Sequence, residues 1–257
     1  IAAPAVWSRG VIAGEHGRPG SARAVIVNSG SANACTGVRG AADATATAEH
    51  VAGLLGADAG DILVCSTGVI GVPIDMPVLL EGAGAAARAL AASPQAGHDA
   101  AEAIMTTDTV PKEDTVTVTG PDGTWTIGGM IKGVGMLAPG MATMLCVITT
   151  DAVVDAGAAE RAVSAAAART VNRISSDGCM STNDTVLLLA SGASGVVPGP
   201  GALDDAVTEV LARLGRRLVA DAEGATHDIA VTVTGAVSEI AAETAARTVS
   251  SSNLLKC

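Results

Sequence analysis

The stretch TVTVTGPDGTWTI, residues 115–127, decides the class of fold. Apolar and polar residues alternate on both sides of Pro121-Asp122-Gly123, and this pattern predicts an antiparallel β-hairpin. Along the rest of the chain, short apolar runs alternate with segments whose apolar residues have helical spacing. We therefore predict an α/β (α+β) fold with mixed strands.

The apolar patterns outside the hairpin predict the other strands and helices of this fold. Further strands are predicted at 23–28, 62–65, 144–149, 185–190 and 228–234. Helices are predicted at 43–55, 76–92, 98–105, 158–171, 204–220 and 238–248. The Gly/Pro-rich connector 194–201 is the one predicted boundary between subdomains.

The composition excludes several classes of function. The 257 residues include 15 basic and 26 acidic side chains, which give a net charge of -11 without a cluster of Lys or Arg. We therefore expect neither nucleic acid nor an anionic membrane as a partner. Aromatic residues make up only 1% of the chain, so it has almost no side chains on which bases can stack. A hydrophobic fraction of 49% excludes a disordered chain.

The cysteines and histidines do not form a metal-binding pattern. The five cysteines are far apart in the sequence and are predicted to be reduced, buried thiols of a cytoplasmic protein. The four histidines are isolated from one another and from the cysteines. We expect no metal and no other cofactor.

Small, hydroxyl-rich segments follow or precede most of the predicted strands. Each of them alone is explained by ordinary turn chemistry, in which Gly permits positive φ and Ser, Thr, Asn or Asp caps a helix. The segments lie at 28–37, 66–71, 105–109, 132–144 and 177–185.

Taken together and in order, these segments resemble the ornithine acetyltransferase family, the glutamate N-acetyltransferases of the cyclic arginine pathway. The resemblance covers nearly the whole chain and implies helical layers around mixed β-sheets. The matching residues are N-S-G-x-A-N-A-C-T-G at 28–37, S-T-G-V-I-G at 66–71, M-T-T-D at 105–108, K-G-x-G-M-L-A-P-x-M-A-T-M at 132–144, S-T-N-D-T-V-L-L-L at 181–189 and E-G-A-T at 223–226.

The resemblance implies that the chain cuts itself between Ala142 and Thr143. Thr143 then takes the acetyl group of N2-acetyl-L-ornithine and passes it to L-glutamate in a ping-pong reaction of arginine biosynthesis. The new α-amino group, whose ordinary pKa is about 7.7–8, is a suitable base for the hydroxyl of the same residue. Residues 1–142 would form an α chain and residues 143–257 a β chain, assembled as a heterotetramer. Without the resemblance, Thr143 is simply a threonine that begins a strand.

The resemblance also implies the roles of five further residues. Thr67 and Gly68 would form the oxyanion hole, and Thr106, Lys132 and Glu223 would contact the substrates. Lys132 would pair with a carboxylate, and Glu223 with the ammonium group of ornithine. The residues themselves leave other interpretations open: a cap and turn for Thr67 and Gly68, a solvated surface lysine, and an acid at a helix end.

Two other functions stay open from the sequence. One is an amidase or aminopeptidase with an N-terminal nucleophile, in which water resolves the acyl-enzyme. The other is an inactive, unprocessed fragment, because family members extend before Ile1 and beyond Cys257 and the chain is expected to be truncated. Bifunctional members also accept acetyl-CoA, and the residues do not decide whether this chain does. It departs from the family pattern at Cys179, Ala222 and His227.

Overall fold

The computed structural model describes residues 1–136 and 144–256, except for the side chains of Asn253 and Lys256. Its strands are β1 (Ala24–Ser31), β2 (Ile62–Val69), β3 (Lys112–Gly120), β4 (Gly123–Lys132), β5 (Leu145–Thr150) and β6 (Thr185–Ala190). Its helices are α1 (Ala3–Ala13), α2 (Gly37–Leu55), α3 (Met76–Arg88), α4 (Pro94–Ala103), α5 (Ala156–Arg169), α6 (Ala202–Ala220), α7 (Glu239–Ser250) and α8 (Asn253–Lys256). None of these helices is both long and apolar enough to cross a membrane.

Four strands form one mixed sheet in the order β3-β4-β5-β6. β3 and β4 are the predicted hairpin, and their register pairs Gly120 with Gly123, which leaves Pro121 and Asp122 at the tip. β5 is antiparallel to β4 and parallel to β6. The sheet is therefore mixed, and the predicted fold class is confirmed.

The other two strands, β1 and β2, form a parallel pair. A parallel pair needs a long crossover connection, which here contains α2. Helix α1 is fixed on β2 by two side chains. The indole N–H of Trp7 donates to the carbonyl of Ile62 at 2.9 Å, and the hydroxyl of Ser8 donates to the carbonyl of Val64 at 2.7 Å.

Each sheet has its own apolar core. Helices α5 and α6 pack on the four-stranded sheet, where Ile127, Ile148 and Leu211 are fully buried. Helices α2 and α3 contribute to the core of the parallel pair, around Ala48 and Ile62. The helical layers on mixed sheets agree with the predicted architecture.

The two sheets meet at one edge. The register of the larger sheet aligns Lys132, Leu145 and Thr185, so β4 ends where β5 and β6 begin. The side-chain amide of Asn183 joins this edge to the parallel pair, because it donates to the carbonyls of Ala32 at 2.6 Å and Ser66 at 2.8 Å. The residue that follows β1 and the second half of β2 are therefore held beside the start of β6.

The predicted strand at 228–234 is wrong, since the structure has no strand there. The segment lies along an open cleft of about 1170 Å³, and Ile229 is 54% exposed. A strand needs a neighbour for its backbone hydrogen bonds, and no strand is described beside this segment.

The predicted subdomain boundary at 194–201 is also wrong. Val196 of the connector packs on the same apolar core as Leu188 of β6 and Leu203 of α6. The connector therefore joins two elements of one core.

The expectation of buried cysteines holds for two of the four that the structure describes. Cys65 and Cys146 are buried, and burial raises the pKa of each thiol to about 12. Cys35 and Cys179 are exposed, because each lies in an irregular segment outside the two cores. All four are free thiols.

Candidate functional site

Lys132 lies at the centre of the shared edge. It is the last residue of β4, and it is only 2% exposed. Its Nζ donates to Thr67 Oγ1 at 3.1 Å and to Thr106 Oγ1 at 2.8 Å. The interpretation of Lys132 as a solvated surface lysine is therefore wrong. Three of the predicted site residues are in direct contact.

These contacts determine what the two hydroxyl groups can do. A protonated lysine only donates hydrogen bonds, so both threonine oxygens must accept from Lys132. Neither hydroxyl proton is used in these contacts, and that of Thr106 stays available to a ligand. An adjacent positive charge makes a hydroxyl a stronger donor. Thr106 is exposed, so a ligand can reach it.

Thr67 and Gly68 belong to a strand and not to a cap and turn. β2 continues four residues beyond the predicted end at 65, because Asn28 to Ser31 of β1 pair with it. Thr67 is fully buried and lies opposite Ser29. Gly68 has φ +129, a conformation that favours glycine.

The charge of Lys132 is balanced by a buried carboxylate. Asp108 Oδ2 lies 3.7 Å from Lys132 Nζ. Burial lowers the pKa of the Lys132 ammonium group, and the negative charge of Asp108 opposes this shift. Burial alone raises the pKa of Asp108, but hydrogen bonds from Lys112 and Gly133 and the charge of Lys132 outweigh it and hold that pKa below its ordinary value.

Glu223 is brought next to the segment that follows Lys132. Its backbone N–H donates to the carbonyl of Val134 at 2.7 Å. Its Oε2 would lie 3.2 Å from a Cβ at Gly135. The carboxylate is exposed on the wall of the 1170 Å³ cleft. It follows the C-terminal end of α6 by three residues, which agrees with its interpretation as an acid at a helix end.

The predicted cleavage residues, Ala142 and Thr143, lie outside the described residues. Met144, which follows them, is described. Its N–H donates to Asp184 Oδ1 at 2.8 Å, and its carbonyl accepts from the N–H of Thr185 at 3.0 Å.

Asp184 has an unusual environment. Its Oδ2 is buried and has no hydrogen-bond partner among the residues that the structure describes. Burial raises the pKa of Asp184 to about 8, although the N–H of Met144 and the charge of Lys132 oppose the shift. The carboxyl group therefore holds a proton in neutral solution.

This protonation predicts how stability depends on pH. A carboxyl group whose pKa rises on folding takes up a proton, so its contribution is complete below about pH 4 and is lost as pH rises towards about 8. Asp184→Asn resembles the protonated form at every pH. We expect this variant to be more stable than the wild type at about pH 9, with a difference that shrinks towards about pH 4. Urea unfolding at several pH values measures it.

Asp122→Asn, at the exposed tip of the hairpin, is the control for the general loss of one carboxylate. A wild-type protein that gains stability relative to Asp184→Asn as pH rises would contradict the prediction.

Sequence reasoning missed several residues of this edge as members of the site. Asp108 and Asp184 belong to segments that carried the family resemblance, but no role was assigned to them. Lys112 is one of only three lysines in the sequence. It is 1% exposed and pairs with Asp108 and with Asp221. Because lysine is rare in this sequence, Lys112 could have been singled out as a candidate. Its pairing with Asp108 and Asp221 could not be seen in the sequence.

Comparison with known proteins finds relatives along the whole chain. A model of the ArgJ family matches residues 1–257. The arginine biosynthesis bifunctional protein ArgJ of Bifidobacterium longum is 58% identical over 256 residues, which are 100% of this chain and 63% of that protein. Its counterpart in Streptomyces coelicolor is 53% identical over 256 residues, which are 100% of this chain and 64% of that protein. The chain thus spans slightly less than two thirds of the length of these relatives.

Solved structures also match the chain. The crystal structure of an ornithine acetyltransferase from Mycobacterium tuberculosis, complexed with ornithine, is 46% identical. The match covers 54% of this chain and 70% of that one, with a TM-score of 0.48.

Proposed function

Because this chain belongs to the ArgJ family, we propose that it provides the catalytic site of a glutamate N-acetyltransferase of arginine biosynthesis. The acetyl group moves from N2-acetyl-L-ornithine to L-glutamate. The observation that carries this proposal is the contact of Lys132 with Thr67 and Thr106 at the sheet edge where Met144, the residue after Thr143, leads into β5.

The nucleophile of the proposed reaction is Thr143. Thr143 precedes Met144 in the sequence, and Met144 is held at this edge by its hydrogen bonds with Asp184 and Thr185. In the proposed processing step, Oγ1 of Thr143 attacks the carbonyl carbon of Ala142. The C–N bond breaks, and the nitrogen of Thr143 takes up the hydroxyl proton. Water then hydrolyses the ester and leaves Thr143 with a free amino group.

The transfer takes two similar steps. The α-amino group of Thr143 accepts the hydroxyl proton while the oxygen attacks the acetyl carbonyl of N-acetylornithine. The negative charge that develops on the carbonyl oxygen is stabilised by donors from Thr67 and Gly68, each worth on the order of 10²–10³ in rate. The amine of ornithine leaves with the proton. The amine of glutamate then attacks the acetyl-Thr143 ester and restores the enzyme.

The charges around the site are suited to amino-acid substrates. The exposed carboxylate of Glu223 is available to the side-chain ammonium group of ornithine. Lys132 and Thr106 are proposed contacts for a substrate carboxylate. The ammonium group has three N–H donors and gives two of them to these hydroxyls. A carboxylate that binds at the exposed Thr106 would therefore lie beside a positive charge.

Processing would divide the chain into an α chain of residues 1–142 and a β chain of residues 143–257. We further propose that these chains assemble as a heterotetramer in the cytoplasm. The relatives are described as bifunctional, which supports acetyl-CoA as an additional acetyl donor.

Acetyl transfer separates this function from hydrolysis. The purified protein is incubated with N-acetylornithine, with and without glutamate, and N-acetylglutamate, ornithine and acetate are quantified. With glutamate present, we expect N-acetylglutamate and ornithine in equal amounts over many turnovers. Without glutamate, we expect no more than one ornithine per active site. Release of acetate at the same rate without glutamate would instead identify an amidase.

A further inference from the structure

Lys132 of the candidate site has a second buried lysine, Lys112, close to it. Lys112 begins β3 and Lys132 ends the neighbouring strand β4, and they are 1% and 2% exposed. A buried ammonium group is costly unless it is paired and hydrogen-bonded. The partners of these two groups are therefore informative.

One carboxylate serves both lysines. Asp108 Oδ1 accepts from Lys112 Nζ at 2.8 Å, and Asp108 Oδ2 lies 3.7 Å from Lys132 Nζ. The same carboxylate accepts from the backbone N–H of Gly133 at 2.7 Å and from that of Thr106 at 3.3 Å. Asp108 thus holds the ammonium group of Lys132 together with two backbone N–H groups. One belongs to Gly133, which follows Lys132, and the other to Thr106, whose hydroxyl accepts from Lys132.

A second carboxylate extends the arrangement to the end of α6. Asp221 Oδ2 lies 2.5 Å from Lys112 Nζ, and Asp221 also accepts from the N–H of Thr109 at 3.0 Å and from its hydroxyl. Asp221 lies two residues before Glu223. A continuous line of alternating charges therefore runs Asp221–Lys112–Asp108–Lys132, with two charges of each sign.

We propose that Asp108 and Lys112 are positioning residues, which hold the Lys132 ammonium group on the hydroxyls of Thr67 and Thr106. Through Asp221, Lys112 also holds the segment that presents Glu223. The consequence for catalysis rests on the proposed function, whereas the arrangement of charges does not.

Two substitutions are expected to shift the pKa of Lys132 in opposite directions. The groups that act on its charge are Asp108, which favours the ammonium form, and Lys112, which disfavours it. Asp184 also favours the ammonium form, but only once it has lost its proton. Asp108→Asn removes a negative charge, so the pKa of Lys132 falls. Lys112→Met removes a positive charge, so the pKa of Lys132 rises.

The three lysines of the sequence make this measurable by NMR. The protein is prepared with isotope-labelled lysine, and the side-chain signals of Lys112, Lys132 and Lys256 are followed against pH. Lys132→Met assigns the signal of interest. We expect the midpoint of Lys132 to fall by about one to three pH units in Asp108→Asn, as expected for an opposite charge at this distance.

Asp114→Asn is the matched control. Asp114 also lies in β3 and pairs with cations, but its partners are Arg213 and Arg217. This variant is expected to leave the midpoint of Lys132 unchanged. An unchanged midpoint in folded Asp108→Asn would overturn the proposal. If Asp108→Asn does not fold, the upward shift in Lys112→Met is the test, and a fixed or lower midpoint there would overturn it.

Kinetics test the link to Glu223. We expect Asp221→Asn to raise KM for N-acetylornithine by about tenfold while kcat changes less, because binding of the ammonium group is remote from the acetyl carbon. A purely structural role would lower thermal stability and leave KM unchanged. If the wild type transfers no acetyl group, the proposed function fails, whereas the lysine titration still decides whether Asp108 positions Lys132.

Discussion

Replacing Thr143 with alanine is expected to leave the protein as one uncut chain and to abolish acetyl transfer. Alanine has no hydroxyl group, so neither the attack on the carbonyl of Ala142 nor the formation of the acetyl ester can occur. Loss of the nucleophile from an acyl-transfer site lowers kcat by on the order of 10⁶-fold. Denaturing electrophoresis and the transfer assay measure the two effects.

Two further variants make this result specific. Thr143→Ser retains a hydroxyl group and is expected to be cut and to keep measurable transfer. Thr149→Ala removes an exposed threonine of β5 and is expected to behave as the wild type in both assays. Cleavage at 142–143 in Thr143→Ala would show that another group performs the cut.

Gly68→Ala is expected to have the largest effect among the described residues. A Cβ at this position would lie 2.5 Å from the carbonyl oxygen of Gly30 and 2.7 Å from the nitrogen of Ser31. Both are backbone atoms of β1, so β1 and β2 must separate. The separation would move Thr67 away from Lys132, and loss of one oxyanion donor alone costs about 10²–10³ in rate.

Gly30→Ala is the matched control, because Gly30 lies directly opposite Gly68 and also has positive φ. A Cβ there meets nothing within 4 Å. Both variants carry the backbone cost of about 1–3 kcal/mol, and only Gly68→Ala adds the steric clash. Unfolding free energy and kcat are measured for both. Equal losses in the two variants would mean that the close approach of β1 and β2 is unimportant.

The fold was predictable where local pattern and packing agree. The hairpin was recognised from its turn residues and alternation, and β6 has the predicted bounds at 185–190. Helix α1 was not predicted, although Pro4 in its first turn and left-handed Gly14 at its end are ordinary start and stop residues. The segment 228–234 has a strand-like sequence and no neighbouring strand in the described structure.

Several residues of the site could be named from the sequence, but their arrangement in space could not. Thr67, Thr106 and Lys132 were named from the resemblance, and the structure brings them into contact. Nothing in the sequence shows that Lys132 is buried, because its burial depends on Asp108 in a distant loop. The pairing of Lys112 with Asp221 joins residues 109 positions apart. Such contacts depend on the tertiary fold.

In the proposed reaction, Thr143 carries the acetyl group between the two substrates. The most direct measurement is mass spectrometry of the protein after exposure to N-acetylornithine without glutamate. We expect a chain that begins Thr143-Met144-Leu145-Cys146 and carries one additional acetyl group on Thr143, which disappears when glutamate is added. A processed protein whose Thr143 is never acetylated, or an acetyl group that stays in place with glutamate, would contradict it.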